Sequence, residues 1–227
     1  MFTHPSIPSD KILTRYIAPF GLTALLRPSK AGQPVESLWV GGEGECGIVL
    51  FVSALDAEIY RLHARTVGEE WVRHPLETIG FQSTVEHLGQ AWTHLVFAFN
   101  ANASRQLTLD QCGCFLHPCF PERFAPLDTP SEPVTFRFRS RLFETMEHHW
   151  TRIGEPNYAQ TINKLNRLGT TKSGAVELRE LAERALSAAS LGPVGEPRHE
   201  QTDWTVFSPG AGAWCFGPNQ ARQGALH

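Results

Sequence analysis

The chain has 227 residues, of which 41% are hydrophobic and 19% are charged. This composition supplies enough apolar surface to offset the chain entropy, so it predicts a globular fold with a sizeable core. The formal net charge of −3 argues against a general nucleic-acid binder, because such proteins carry a strongly basic face. Glycine and proline are both frequent, which predicts many turns and few long helices.

Neither a membrane span nor an export signal is apparent. The longest apolar run, residues 48–52, is far too short to cross a bilayer. The first residues lack a basic start followed by an apolar stretch. The chain has five cysteines, an odd number that suits a reducing compartment better than a disulfide framework. We therefore expect a cytoplasmic protein that does not bind membranes.

Most segments before residue 142 have the composition of strands. Residues 46–52 form a nearly continuous apolar run, which predicts a strand buried on both faces. Residues 134–141 alternate strictly between apolar and polar, which predicts a strand with one wet face. Residues 118–133 carry five prolines and are predicted to be a surface connection. Further strands are predicted within residues 11–17, 22–27, 38–40, 71–72, 91–99 and 106–109, the last two joined by a turn.

Helices are predicted near residues 54–66, 143–152, 157–168 and 174–189. The first has the clearest start, because the Ser53 hydroxyl can cap a free N–H and Asp56 places a carboxylate at the positive helix end. Gly169 is expected to end the third helix. Ser173 is expected to cap the fourth.

The grouping of strands before helices predicts an α+β fold, with a mainly antiparallel sheet and C-terminal helices packed on it. We expect one domain over residues 1–190, strand-rich to about 141 and helical over 142–190. Residues 191–227 are predicted to be an irregular extension, ordered because it carries several aromatic side chains. The predicted core comprises Ile48, Leu50, Val52, Leu55, Ile59, Leu95, Phe97, Phe136 and Phe138.

A cysteine cluster is the densest group of potential metal ligands. Cys112, Cys114, His117 and Cys119 could supply four zinc ligands within eight residues. Their spacing differs from that of zinc fingers and ribbons, in which two separated pairs join distant segments. Buried free cysteines explain the cluster more simply, so we expect no zinc and no other cofactor.

A second potential metal site lies at the start of the second predicted helix. Glu144 and His148 are four residues apart and could bind a metal together, with His149 adjacent. There is no His-Glu-x-x-His arrangement, so a solvated helix face explains these residues better and is the favoured interpretation.

The sequence contains no motif for nucleophilic catalysis and no phosphate-binding loop. Arg137, Arg139 and Arg141 would share one face of the alternating strand and could bind phosphates or acidic groups. The same pattern is typical of a strand with one solvated face, which we favour.

Residues Val49–Tyr60 resemble a strand–Ser-x-Leu-Asp-Ala–helix element found in small bacterial proteins encoded beside secreted toxins. Those proteins confer immunity. The resemblance implies a non-enzymatic protein that binds a cognate toxin in the cytoplasm and occludes its active site. It supplies no catalytic residue. For the contact surface, Glu43 and Glu45 are candidate charged rim residues and Trp204 is a candidate exposed anchor.

Two alternatives stay open at this point. The first is a small zinc-dependent enzyme built on Cys112–Cys119, with His148 and His149. The second is a chaperone or adaptor for a secreted effector, which would bind a protein without inhibiting it. The sequence leaves the oligomeric state undetermined.

Overall fold

The computed structural model describes residues 6–7, 15–28, 35–40, 47–79, 92–118, 120–123, 135–194 and 203–217. Helices in these ranges lie close to their predicted positions: α1 is Ala54–Thr66, α2 is Ser140–Arg152, α3 is Tyr158–Leu168 and α4 is Lys172–Ser187. None of the helices in the described ranges is long and apolar enough to cross a membrane.

Strands form one large central sheet, a second sheet and two small pairs. In chain order they are β1 (Ser6–Ile7), β2 (Arg15–Ile17), β3 (Thr23–Leu26), β4 (Val35–Glu36), β5 (Trp39–Val40), β6 (Gly47–Phe51), β7 (Val72–Pro75), β8 (Trp92–Val96), β9 (Phe99–Ala101), β10 (Leu107–Leu109), β11 (Phe120–Arg123), β12 (Thr135–Arg137), β13 (Leu191–Val194), β14 (Asp203–Ser208) and β15 (Ala213–Phe216).

The central sheet has the strand order β11-β8-β6-β3-β7, and β5 also pairs with β6. The second sheet has the order β13-β10-β9-β14-β15. Pairing is parallel between β6 and β8, between β10 and β13, and between β12 and β2, and antiparallel in the other pairs described. The predicted α+β class with a mainly antiparallel sheet is therefore confirmed.

Both faces of the central sheet are covered by helices. Side chains alternate along β6, so Ile48 and Leu50 enter one core while Val49 and Phe51 enter the other. The first core is closed by α2, which contributes Trp150, and the second by α1 and α4. The prediction that residues 46–52 form a strand buried on both faces is confirmed for the described residues. All predicted core side chains that the structure describes are buried: Ile48, Leu50, Val52, Leu55, Ile59, Leu95, Phe97 and Phe138; the side chain of Phe136 lies outside that set.

Helix starts follow from local hydrogen bonds. The Ser53 hydroxyl accepts a hydrogen bond from the Asp56 backbone N–H at 3.3 Å, which confirms the predicted cap. The predicted cap at Ser173 is wrong, because Thr171 has extended backbone angles and its Oγ1 accepts from the Gly174 N–H at 3.1 Å. This turn requires glycine at 174, since a Cβ there would lie 2.3 Å from the Leu168 carbonyl oxygen.

Three segments differ from the sequence predictions. Residues 120–123 within the proline-rich stretch form β11, which tolerates Pro121 because it lies at the edge of the central sheet. The described part of the C-terminal extension is not irregular, since β14 and β15 form an antiparallel pair that joins β9. The alternating segment 134–141 is a strand only over Thr135–Arg137, because α2 already begins at Ser140.

Candidate functional site

A cavity of about 280 Å³ opens where α1 follows β6. The strand register explains its position, because Thr23 of β3 pairs with both Phe51 of β6 and Pro75 of β7, so these three strands reach the same edge of the sheet. The first residue of α1 and the C-terminal end of α3 complete the walls. The cavity therefore lies at a junction of three sheet strands and two helices.

Asn166 on α3 joins these elements through its side-chain amide. Its Oδ1 accepts a hydrogen bond from the Ala54 backbone N–H at 2.7 Å. Its Nδ2 donates to the carbonyl oxygens of Gly21 at 2.8 Å and Val52 at 3.0 Å. One amide thus fixes α3 to the end of β6, to the start of α1 and to the residues before β3, so this wall of the cavity is held in place before any ligand binds.

A guanidinium group, that of Arg73, lines the cavity and is held from behind by a buried carboxylate. Arg73 Nε donates to Glu58 Oε2 at 2.6 Å, and Arg61 donates to both oxygens of the same carboxylate at 2.9 and 2.6 Å. Burial favours a higher pKa for Glu58, but the hydrogen bonds and charges of Arg61 and Arg73 outweigh it and lower the pKa. Glu58 is therefore ionised at neutral pH, and two cations share one anion.

Gly169 at the end of α3 allows Arg73 and the start of α1 to pack closely against it. A Cβ at this position would lie 3.2 Å from the Ala54 Cβ and 3.2 Å from Arg73 Nη1. Both distances are shorter than ordinary van der Waals contact, so any side chain here would fill the space between α1 and β7. The backbone of Gly169 is helical, with φ −59°, so a larger residue here is opposed by limited space and not by conformation.

Two further charged residues lie at the mouth of the cavity. Arg167 and Glu77 both line it and are exposed. Glu77 accepts a hydrogen bond from the Tyr16 hydroxyl at 3.2 Å. Burial raises the pKa of Tyr16 to about 12, so this hydroxyl stays a donor throughout the physiological range. Among the described lining residues, the guanidinium groups of Arg73 and Arg167 and the carboxylate of Glu77 leave one net positive charge.

Comparison with known proteins assigns no family. Neither a protein-family model, nor a curated protein, nor a solved structure matches this chain.

The cysteine cluster is only partly gathered around Tyr60. Cys112 is exposed, whereas Cys114 is buried and shares a hydrogen bond with Tyr60. His117 is half-buried, and its ring centroid lies 5.9 Å from that of Tyr60. Cys119 lies outside the described residues. Within the described ranges, no three His, Cys, Asp or Glu side chains are placed to hold a metal ion. The expectation that the chain binds no zinc stays a prediction.

Burial also suppresses acid–base chemistry at this cluster. It raises the pKa of the Cys114 thiol to about 11, with nearby Asp110 acting in the same direction. Burial and the neighbouring His94 lower the pKa of His117 to about 4. At neutral pH the thiol is therefore protonated and the imidazole uncharged, so Cys114 is a poor nucleophile.

The potential metal ligands on α2 differ in how far they are buried. Glu144 and His148 are exposed, as expected for a solvated helix face. His149 is half-buried, and its ring centroid lies 5.0 Å from Trp204 and 5.7 Å from Phe97. Burial, together with the charge of Arg152 and the neighbouring His148, lowers the pKa of His149 to about 4. His149 therefore acts as a packing residue.

Of the candidate contact residues Glu43, Glu45 and Trp204, the structure describes only Trp204. Trp204 is half-buried and packs on Phe97, Phe120 and His149, so its expected exposure is wrong. Its packing explains why this part of the C-terminal extension is ordered. Glu43 and Glu45 lie outside the described residues, so their role stays a prediction.

The predicted arginine face is not present as one strand surface. Arg139 precedes α2 and donates to Glu122 at 2.6 Å, and Arg141 lies within that helix. The side chain of Arg137 lies outside the described set. The cavity residues Arg73, Arg167 and Gly169 were missed as functional candidates, and no local motif marks them. Of these three residues, only Gly169 was marked in the sequence, as the expected end of a helix.

Proposed function

We propose that this chain is a non-enzymatic protein that binds a cognate bacterial toxin and occludes its active site, as the immunity proteins it resembles do. The resembling residues, Val49–Tyr60, comprise most of β6, the Ser53 cap and the first half of α1. Ala54 within this segment lines the cavity. The element that carries the resemblance therefore also contributes to the wall of this cavity.

The observation that supports this proposal is the preorganisation of the cavity. Asn166 is fixed by three hydrogen bonds and Arg73 by the buried Glu58 carboxylate. A surface whose side chains are already fixed loses little conformational entropy on binding, which is a property of tight protein inhibitors. In the described part of the chain, the lining has the hydroxyls of Thr23 and Thr170 and the carboxylate of Glu77, but no His or Cys beside them. Recognition suits these residues better than catalysis.

The volume of the cavity lies at the lower end of the range for small-molecule pockets, and it also admits a side chain of a partner protein. Pockets for small molecules usually measure about 300–1,000 Å³, and this cavity measures about 280 Å³. A space of this size suits one side chain of a partner protein. Interfaces commonly concentrate their binding energy in a few such anchored and desolvated side chains.

Co-expression with the product of the neighbouring gene tests the proposal. We expect that product to arrest bacterial growth alone, and co-expression of this chain to restore growth and yield a complex that co-elutes in size-exclusion chromatography. A harmless product, or undiminished toxicity beside an equal level of folded chain, would contradict the proposal. A stable complex in which the toxin keeps its activity would instead support the chaperone or adaptor alternative.

The acidic residues Glu43 and Glu45 provide a test of the proposed rim. Reversal of both to lysine should slow association with a basic toxin and weaken its dependence on salt. Glu177 and Glu180, which are exposed on α4, give a matched double reversal of the same charge. Equal association rates for the two double variants would remove Glu43 and Glu45 from the interface.

A further inference from the structure

We infer that the cavity is a binding site for a carboxylate, and that this carboxylate belongs to an Asp or Glu side chain of the partner protein. The identity of the partner rests on the proposed function, whereas the carboxylate chemistry rests on the cavity. The first argument is charge. Glu58 balances only one of the two guanidinium groups that bond to it, and Arg167 adds a further cation at the mouth.

The second argument is the direction of the hydrogen-bond donors. Glu58 occupies Arg73 Nε, while Arg73 Nη1 lies beside Gly169, which also lines the cavity. A guanidinium group carries five N–H donors in a rigid plane, and it binds carboxylates with short, charge-assisted hydrogen bonds. Because Glu58 fixes this plane from the buried side, the outer edge of Arg73 is presented to an incoming acceptor without a rotamer search.

The magnitude of the charge favours a carboxylate over a phosphate. One net positive charge surrounds the cavity, with the anions Glu58 and Glu77 among the contributors. A carboxylate carries one negative charge and neutralises this excess, whereas a phosphate dianion would leave an uncompensated charge near both glutamates. The start of α1, where Ala54 lines the cavity, adds the positive end of a helix dipole.

A direct titration tests the carboxylate site without the partner. N-acetylglutamate amide serves as the probe and N-acetylglutamine amide as its neutral counterpart, at constant ionic strength, with backbone and arginine Nε–H resonances followed by NMR. We expect saturable shifts at Arg73, Arg167 and Gly169 with the acid alone. Equal shifts with the neutral amide, no shifts at these positions, or tighter binding of inorganic phosphate would overturn the carboxylate assignment.

Two variants localise binding to the cavity. Gly169→Ala adds a methyl group that crowds Arg73 Nη1, and Arg167→Gln removes the cation at the mouth. Each should weaken the probe by about tenfold, the loss expected for one charge-assisted contact. Arg184→Gln is the matched control, because Arg184 is exposed on α4 and does not line the cavity. Unchanged affinity in both cavity variants would overturn the site.

Titration with the purified toxin then decides the source of the carboxylate. We expect Gly169→Ala to weaken toxin binding by at least tenfold and Arg184→Gln to leave it unchanged. The probe could bind in the cavity while Gly169→Ala keeps its full affinity for the toxin. That result would overturn a side chain of the partner as the source of the carboxylate. If the wild-type chain does not bind the toxin, the proposed function fails with that source, while the probe titration still decides the carboxylate site independently.

Discussion

Asp56 provides a prediction whose magnitude follows directly from the structure. Its side chain is fully buried in the first turn of α1, and neither carboxylate oxygen has a hydrogen-bond partner among the described residues. Burial raises its pKa from 3.8 to about 7. Tyr158 is a titratable neighbour, and its own pKa lies well above the ordinary value, chiefly through burial and then through the Asp56 charge. Tyr158 is therefore neutral across the range considered.

The raised pKa of Asp56 makes folding stability decrease with pH. Between about pH 4 and pH 7 the folded state binds more protons than the unfolded state, so the free energy of unfolding falls as pH rises through this window. At a pH where Asp56 is ionised in both the folded and the unfolded state, a pKa difference of roughly three units lowers the free energy of unfolding by about 4 kcal/mol. Of this, about 2.5 kcal/mol should be lost between pH 5 and pH 8.

Urea unfolding of the wild type and Asp56→Asn, at pH 5 and pH 8, measures this contribution. The asparagine has a similar shape and does not titrate, so the cost of burying its amide is the same at both pH values. We expect the stability of Asp56→Asn, relative to the wild type, to increase by about 2.5 kcal/mol from pH 5 to pH 8. Other titrating groups are common to both proteins and cancel. The same difference at both pH values would refute the reasoning.

Three other predictions concern packing, hydrogen bonds and metal. Leu50→Ala should lower the free energy of unfolding by roughly 2–5 kcal/mol in urea, because Leu50 is fully buried in β6; a change near zero would contradict its burial. Asn166→Ala removes three hydrogen bonds and should cost about 2–4 kcal/mol in the same assay; a loss below about 0.5 kcal/mol would show that these bonds do not hold α3. Elemental analysis should find no stoichiometric zinc; one zinc per chain that is lost when Cys112 and Cys119 are mutated would establish a metalloprotein.

Local signals predicted the parts of the fold that local interactions determine. The start of α1 was predictable because the Ser53 hydroxyl and the residue three positions later form the cap by themselves. The strand β6 was predictable because a continuous apolar run suits burial on both faces. The start of α2 was missed, since the alternating pattern of residues 134–141 continues past the point where the backbone turns into the helix at Ser140.

Long-range pairing determines what the sequence did not predict. Residues 120–123 read as a proline-rich connection because Pro121 cannot donate to a strand neighbour, yet the edge of the sheet needs no donor on its outer side. The cavity is a stronger example, because its walls come from residues 21, 54, 73, 166 and 169, which are scattered along the chain. The register of β3 with β6 and β7 brings the first three together, and the hydrogen bonds of Asn166 add the end of α3.

The same junction that forms the cavity also holds the fold together, and this determines which substitutions are informative about recognition. Asn166 bonds to the backbone on both sides of the β6–α1 boundary, so its loss would weaken folding and the cavity at once. Arg167 is exposed, and Gly169 already has helical backbone angles that alanine also adopts. A change at Arg167 should leave the free energy of unfolding within about 0.5 kcal/mol of the wild type. Gly169→Ala should do the same provided that its neighbours, which include the Asn166 carbonyl oxygen at 3.3 Å, yield by a few tenths of an ångström. A loss of binding without a loss of stability at both positions would therefore report on the cavity itself, whereas a parallel loss of both would mean that the recess serves only to pack α3 against the sheet.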